Sequence, residues 1–163
     1  MDINKLNELK NKVYKTACDH GFHYNELSNE HCLMLVITEL SEAVEAHRNG
    51  KFLHEEEKIT YELCQKEKFY RYAYEDYIKG TIEEELADTI IRLLDLAGLR
   101  NIEIYIDGIS VPNISKYRSF TQNCYSIVMG LSFICFNSCG VIFLEGVNLV
   151  DTLSEEFIPL IST

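Results

Sequence analysis

Apolar residues recur at helical spacing along most of this chain, and the pattern sets out a series of helices. Residues 2 to about 20 bring Leu6, Leu9, Val13 and Ala17 near one face, with Asp2 available as a cap and Gly21 as a stop. The stretch SNEHCLMLVITELSEAVEAHRNGK opens with Ser28 or Asn29 as N-cap, runs as a long helix and halts at Asn49 and Gly50. Leu33, Val36, Ile37, Leu40, Ala43 and Val44 form its packing face, and Glu39 and Glu42 interrupt an otherwise oily run. A third helix, EEELADTIIRLLDLAG at 83 to 98, is capped by Thr81, with Glu84 completing a capping box. It is apolar nearly all round: Leu86, Ile90, Leu93 and Ala97 share one face, and Ile91, Leu94 and Leu96 fill others. Yet Glu85, Asp88, Arg92 and Asp95 fall within a sector of about 80° at 100° per residue. A helix with so little polar surface is expected to be buried, so its acidic stripe is expected to face a lined cavity rather than open water.

Between the second and third helices the character changes. Residues 51 to 80 are rich in Glu, Lys and Tyr and lack a long apolar run, which marks an insertion between two core helices that includes an exposed helix. Tyr61, Phe69, Tyr70, Tyr72, Tyr74 and Tyr77 serve either to pack this segment onto the bundle or to stack on a ligand. After Gly98, NIEIYIDGISVPN alternates and contains Gly and Pro, as a connector or brief extended piece does. Helices are expected again over 116 to 137 and 140 to 157. No repeat appears and nothing demands a sheet, so the expected architecture is all-α: a helical bundle in a single domain over residues 1 to 163.

The net charge of −11 argues against a general affinity for a nucleic acid polymer, which lysine and arginine must neutralise. Any anionic ligand has to be met locally, and cations held by carboxylates are one way to do so. The six cysteines, at 18, 32, 64, 124, 135 and 139, include no CxxC pair, which fits reduced thiols and a cytoplasmic setting. Cys135 and Cys139 stand four apart and read as packing residues rather than a metal site. The start, MDINKLNELKNKVYK, lacks the apolar centre of a signal peptide. The uncharged run from Ser119 to Leu144 has the length of a membrane span. Its Gln122, Asn123, Ser126, Ser132, Asn137 and Ser138, with an NSCG stop, favour two buried helices and a subunit interface instead.

The chemistry lies in two carboxylate pairs, Glu39 with Glu42 and Glu85 with Asp88. Each pair is spaced i and i+3, so its members share a helix face. A lone Glu-x-x-Glu is commonplace on solvated surfaces, but here both pairs sit in apolar helices. If those helices pack side by side, four carboxylates converge where they cannot all stay ionised without cations. Oxygen-only ligation favours Mg²⁺, with Mn²⁺ as the other candidate. A di-iron bundle also gathers carboxylates, but it needs Glu-x-x-His on two helices, and no histidine here lies three residues after a glutamate.

TELSEAVEAHRNGK followed by EEELADTIIRLLDLAG resembles the MazG-like, all-α nucleoside triphosphate pyrophosphohydrolases, relatives of the dimeric dUTPases. Their signature, a Glu-x-x-Glu helix and then a Glu-x-x-Asp helix, is matched by Glu39, Glu42, Glu85 and Asp88. The N-terminal helix and the HGFHYNE loop suit the family as well, so the likeness covers roughly residues 1 to 100. The resemblance implies Mg²⁺-dependent hydrolysis between the α and β phosphates of a nucleoside triphosphate, giving a monophosphate and pyrophosphate. The four acids are then the expected metal ligands and catalytic groups, one of them serving as base. Arg92, Lys51, His47 and Arg48, on or beside the two motif helices, are candidates for contact with the phosphates. Thr38 stands where many relatives carry a further glutamate, and the gap from Glu42 to Glu85 is longer than usual. In the divergent C-terminal third, Lys116, Arg118 and Asn123 are the only stand-ins for the basic and amide series of relatives. A homodimer or higher homo-oligomer is expected, because two helix pairs rarely complete a pocket. The competing reading is a non-catalytic bundle that binds a nucleotide or a protein partner.

Overall fold

In the computed structural model of this chain, the described residues are 3–65, 69–104 and 116–131, and all their regular structure is helical. α1 spans Ile3–Asp19, α2 Asn29–Arg48, α3 Glu55–Gln65, α4 Tyr70–Ala73, α5 Ile82–Leu99 and α6 Phe120–Leu131. α4 runs straight into a π-helical turn over Tyr74–Ile78.

Helix ends follow the local chemistry. Ser28 is the cap of α2, its side chain accepting from the His31 N–H, and Gly21 and Gly50 turn the chain at φ of 82° and 67° after α1 and α2. At α5 the capping box is only half made. Thr81 accepts from the Glu84 N–H at 3.3 Å, but the Glu84 carboxylate reaches back to the N–H of Gly80 at 2.8 Å rather than that of Thr81, which bonds Ile78.

The central layer is α2 against α5, and these two run antiparallel. The Ile82 N–H donates to the Lys51 carbonyl at 3.0 Å, Arg92 meets Glu39 at 2.9 Å, and the Arg100 Nε reaches Asn29 at 2.5 Å, so the numbers fall along one helix as they rise along the other. Arg100 also donates to the Leu27 carbonyl, which fixes the loop before α2 to the far end of α5. α1 packs on α5 and α6 on α2. The core joins Leu6 from α1, Val36, Leu40 and Ala43 from α2, Leu86, Ile90 and Leu94 from α5, and Cys124, Ile127 and Leu131 from α6. This accounts for the all-round apolar character of α5, which is covered on most sides, with Thr89 fully buried.

Two polar clasps hold α1 to the segment after α5. Asn7 donates to the carbonyl of Ile104 and accepts from its N–H, both at 3.1 Å, and the buried Lys10 ammonium donates to the Ile102 carbonyl at 2.8 Å. α1 and α5 pack tightly at Gly98, where an added Cβ would lie 2.4 Å from Cβ of Tyr14. Gly98→Ala is therefore expected to destabilise the fold by about 2 kcal/mol, overpacking outweighing the better helix propensity of alanine. Urea unfolding monitored by circular dichroism checks this, and a stabilised variant would contradict the packing described.

Residues 51–65 and 69–80 form a separate excursion, with α3, α4 and the π turn packed mainly on one another. Leu53 N–H donates to Glu83 at 2.9 Å, and the Tyr74 hydroxyl donates to Glu84, so this excursion is tied to the first turn of α5. Of the expected C-terminal helices, α6 accounts for 120–131. Residues 116–119, expected to be helical, form a turn ahead of α6, while 132–137, the helix over 140–157, the NSCG stop, Cys135 and Cys139 lie outside the described residues, as do residues 105–115 of the connector. Among the described residues no helix is long and apolar enough to cross a membrane.

Candidate metal centre

α2 and α5 carry the site because their antiparallel register sets the Glu-x-x-Glu of one beside the Glu-x-x-Asp of the other. Glu39 and Glu85 are each 8 % exposed and Asp88 is partly buried; one oxygen from each lies within 4.8 Å of the others. Glu42, one turn beyond Glu39, is exposed and stands outside that trio. The four expected acids are thus brought together as three, with the fourth at the rim.

The electrostatics are those of anions short of countercharge. Burial, followed by the charges of Glu84, Glu42, Asp88 and Glu39, pushes the Glu85 carboxyl up to about 7. Burial also dominates at Asp88, with Glu84, Glu39 and Glu42 adding to it and Arg92 opposing, and its carboxyl rises to about 6. Arg92 supplies the one direct ion pair to the trio among the described residues, its Nε donating to Glu39 at 2.9 Å. It pairs across to α2, although Asp88 and Asp95 share its own stripe.

An octahedral Mg²⁺ with ligands at about 2.1 Å sets its oxygens between roughly 3 and 4.2 Å apart. Side-chain rotations of a few tenths of an ångström bring an upper spacing of 4.8 Å into that range, and three hard oxygen donors suit such an ion. The donor set fits Mg²⁺ or Mn²⁺.

The basic candidates divide. Lys51 lies by the turn that enters α5: its carbonyl accepts from the Ile82 N–H, and its Nζ lies 3.6 Å from where a Cβ on Gly80 would be. His47 packs between aromatic rings, stacked on Phe120 at 4.8 Å and edge-on to Phe52 at 5.9 Å. Arg48 lies on the surface, 3.3 Å from Glu45. Of the C-terminal stand-ins, Arg118 bonds Ser126 at 2.7 Å and Lys116 lies over the Tyr117 ring. No described hydrogen bond or ion pair joins His47, Arg48, Lys116 or Arg118 to the trio.

Two features escaped the sequence reading. Glu84 looked like a capping residue, yet after burial its charge is the foremost influence on both Glu85 and Asp88. Its position four residues before Asp88 was the available signal. The other is His23, whose Nε2 lies 2.8 Å from Asp95 and whose ring is 5.4 Å from that of Tyr14. The His23 side chain is 8 % exposed, and its buried Nδ1 has no hydrogen-bond partner among the described residues. Only the polar stripe on α5 hinted that Asp95 had a role.

Comparison of this chain with protein families, with curated proteins and with solved structures finds no match.

Proposed function

We propose that this protein is a nucleoside triphosphate pyrophosphohydrolase of the MazG-like kind, dependent on Mg²⁺ and converting its substrate to a nucleoside monophosphate and pyrophosphate. The observation that carries this reading is the buried meeting of Glu39, Glu85 and Asp88 from two antiparallel helices, in the order and spacing of that family's signature. Two of the three have carboxyls raised by burial and mutual repulsion, so the bare site favours taking up positive charge.

Glu39, Glu85 and Asp88 would hold the cation, which would neutralise charge on the triphosphate and lower the pKa of water. Arg92 orients Glu39 through its 2.9 Å bond and leaves its own side chain 39 % exposed, able to meet a phosphate oxygen. Lys51 adds a cation at the rim beside Gly80. Glu42 lies outside the trio, yet its charge is felt by Glu85 and Asp88, so it is the carboxylate left to accept the proton as water attacks the α-phosphorus and the bridging bond to the β-phosphate breaks. A nucleic acid polymer is not the partner in this scheme, since a net charge of −11 works against general affinity for a phosphate backbone.

The test is pyrophosphate release from a panel of nucleoside triphosphates with Mg²⁺, for the wild type and Glu42→Gln. Glu42→Gln is expected to lower release at least about 100-fold, as loss of a general base does, while leaving Mn²⁺ affinity within about threefold. A wild type as inert as the variant, but still binding nucleotide, would establish the non-catalytic binding bundle instead.

A further inference from the structure

The excursion between α2 and α5 returns to the site through one side chain. Tyr74 opens the π-helical turn, where the Lys79 N–H reaches the Tyr74 carbonyl at 3.0 Å, the wide i to i+5 bond of such turns. Gly80 follows at φ 74°, a left-handed conformation that suits glycine and lets the chain reverse into α5. The reversal brings the Tyr74 hydroxyl to the first turn of α5. There its hydroxyl donates to one oxygen of Glu84, and the Gly80 N–H donates to the other at 2.8 Å.

Both oxygens of Glu84 are thus held by the chain that precedes α5. This matters because Glu84 and Asp88 are one helical turn apart, the spacing at which two side chains meet, and a glutamate stem is long enough to reach a cation bound by Asp88. Burial first, then the bond to Glu84 and the charges of Glu84, Asp88 and Glu75, hold the Tyr74 phenol well above its ordinary value, so it stays a donor.

We propose that Tyr74 is a positioning residue that ties Glu84 back, so that Glu84 lends charge to the cation site without entering it and one coordination position stays open for a phosphate oxygen. The inference rests on the reading of Glu39, Glu85 and Asp88 as cation ligands. Three carboxylate oxygens leave an octahedral ion three positions for water and substrate, and a fourth carboxylate takes one of them. The excursion is then more than a decoration, since it sets how many positions the substrate can use.

The experiment is Mn²⁺ binding to the intact chain. Affinity is read by electron paramagnetic resonance, and the number of exchanging inner waters by the relaxation rate of water protons. Tyr74→Phe is expected to bind Mn²⁺ about tenfold more tightly, with a lower relaxation enhancement that corresponds to the loss of one water. Adding Glu84→Gln to Tyr74→Phe returns the enhancement to the wild-type value. A Tyr74→Phe protein that is folded and has unchanged hydration overturns the inference. Glu84→Gln alone provides the reading should Tyr74→Phe not fold: unchanged hydration with weaker affinity agrees, and a gained water shows that Glu84 was a ligand already and overturns it. Asp88→Asn separates the two levels of the argument. If the wild type binds Mn²⁺ and Asp88→Asn does not, the cation site stands whatever Tyr74 does; if the wild type takes up no Mn²⁺, site and inference fall together.

Discussion

Asp88→Asn is expected to make the cation-free protein more stable and to abolish its activity at the same time. The carboxylate is partly buried among Glu84, Glu39 and Glu42, with Arg92 as the opposing charge, and its raised pKa reports the free energy spent in keeping it ionised at neutral pH. Replacing it with a neutral amide of nearly the same shape removes that repulsion. Allowing for solvent screening at a partly open site, the gain is about 1 to 2 kcal/mol at pH 7.5. For a domain of this size that corresponds to roughly 3 to 6 °C in Tm. The same change deletes one of three oxygen ligands. Lewis-acid assistance is worth several kcal/mol, so pyrophosphate release is expected to fall at least about 1,000-fold. Thermal melts in EDTA, run beside the pyrophosphate assay, check both halves. A variant that loses activity because it is less stable would mean that Asp88 supports the fold and not the cation.

Stability without cation is expected to fall as the pH rises from about 5 to about 7.5. Glu85 and Asp88 titrate near 7 and 6 in the folded protein, against 4.5 and 3.8 for the ordinary groups. Between those values the folded state holds protons that the unfolded state has released, so raising the pH favours unfolding. Below about 3 both states are protonated at these groups, and above about 8 both have released their protons, so the slope vanishes at either end. Divalent cation reverses the trend, because it replaces the protons and binds only the ionised pair. Mg²⁺ or Mn²⁺ is therefore expected to raise Tm little at pH 5.5 and most above pH 7.5, with affinity climbing up to about tenfold per pH unit for each proton displaced. Melts at several pH values with EDTA or with Mg²⁺ test this. The double variant Glu85→Gln, Asp88→Asn should flatten the cation-free slope, and an unchanged slope would place the titration elsewhere.

The sequence was most legible where a local rule was strong. Ser28, Thr81, Gly21 and Gly50 mark helix ends by capping chemistry and backbone freedom, which need no tertiary partner. The apolar stripe of α2 and the all-round apolar α5 foretold which helices form the centre, because burial of that surface is what holds them together. Local rules failed where a partner is distant in the chain. The carboxylate of Glu84 left its capping box for Gly80 and Tyr74, and Arg92 passed over acids on its own helix for Glu39 on another. His23 and Asp95 are 72 positions apart, and no spacing rule connects them.

Residue order alone determined that this chain makes amphipathic and buried helices, and that two of them carry acids three apart on an apolar background. Helix periodicity and side-chain polarity are properties of short segments, so they can be read without coordinates. Only the tertiary structure decided that Glu39, Glu85 and Asp88 meet while Glu42 stays at the rim, and that the excursion folds back to hold Glu84. Those outcomes depend on the register of two antiparallel helices, where a shift of one residue turns each side chain by about 100° about its axis. Long-range packing fixes that register.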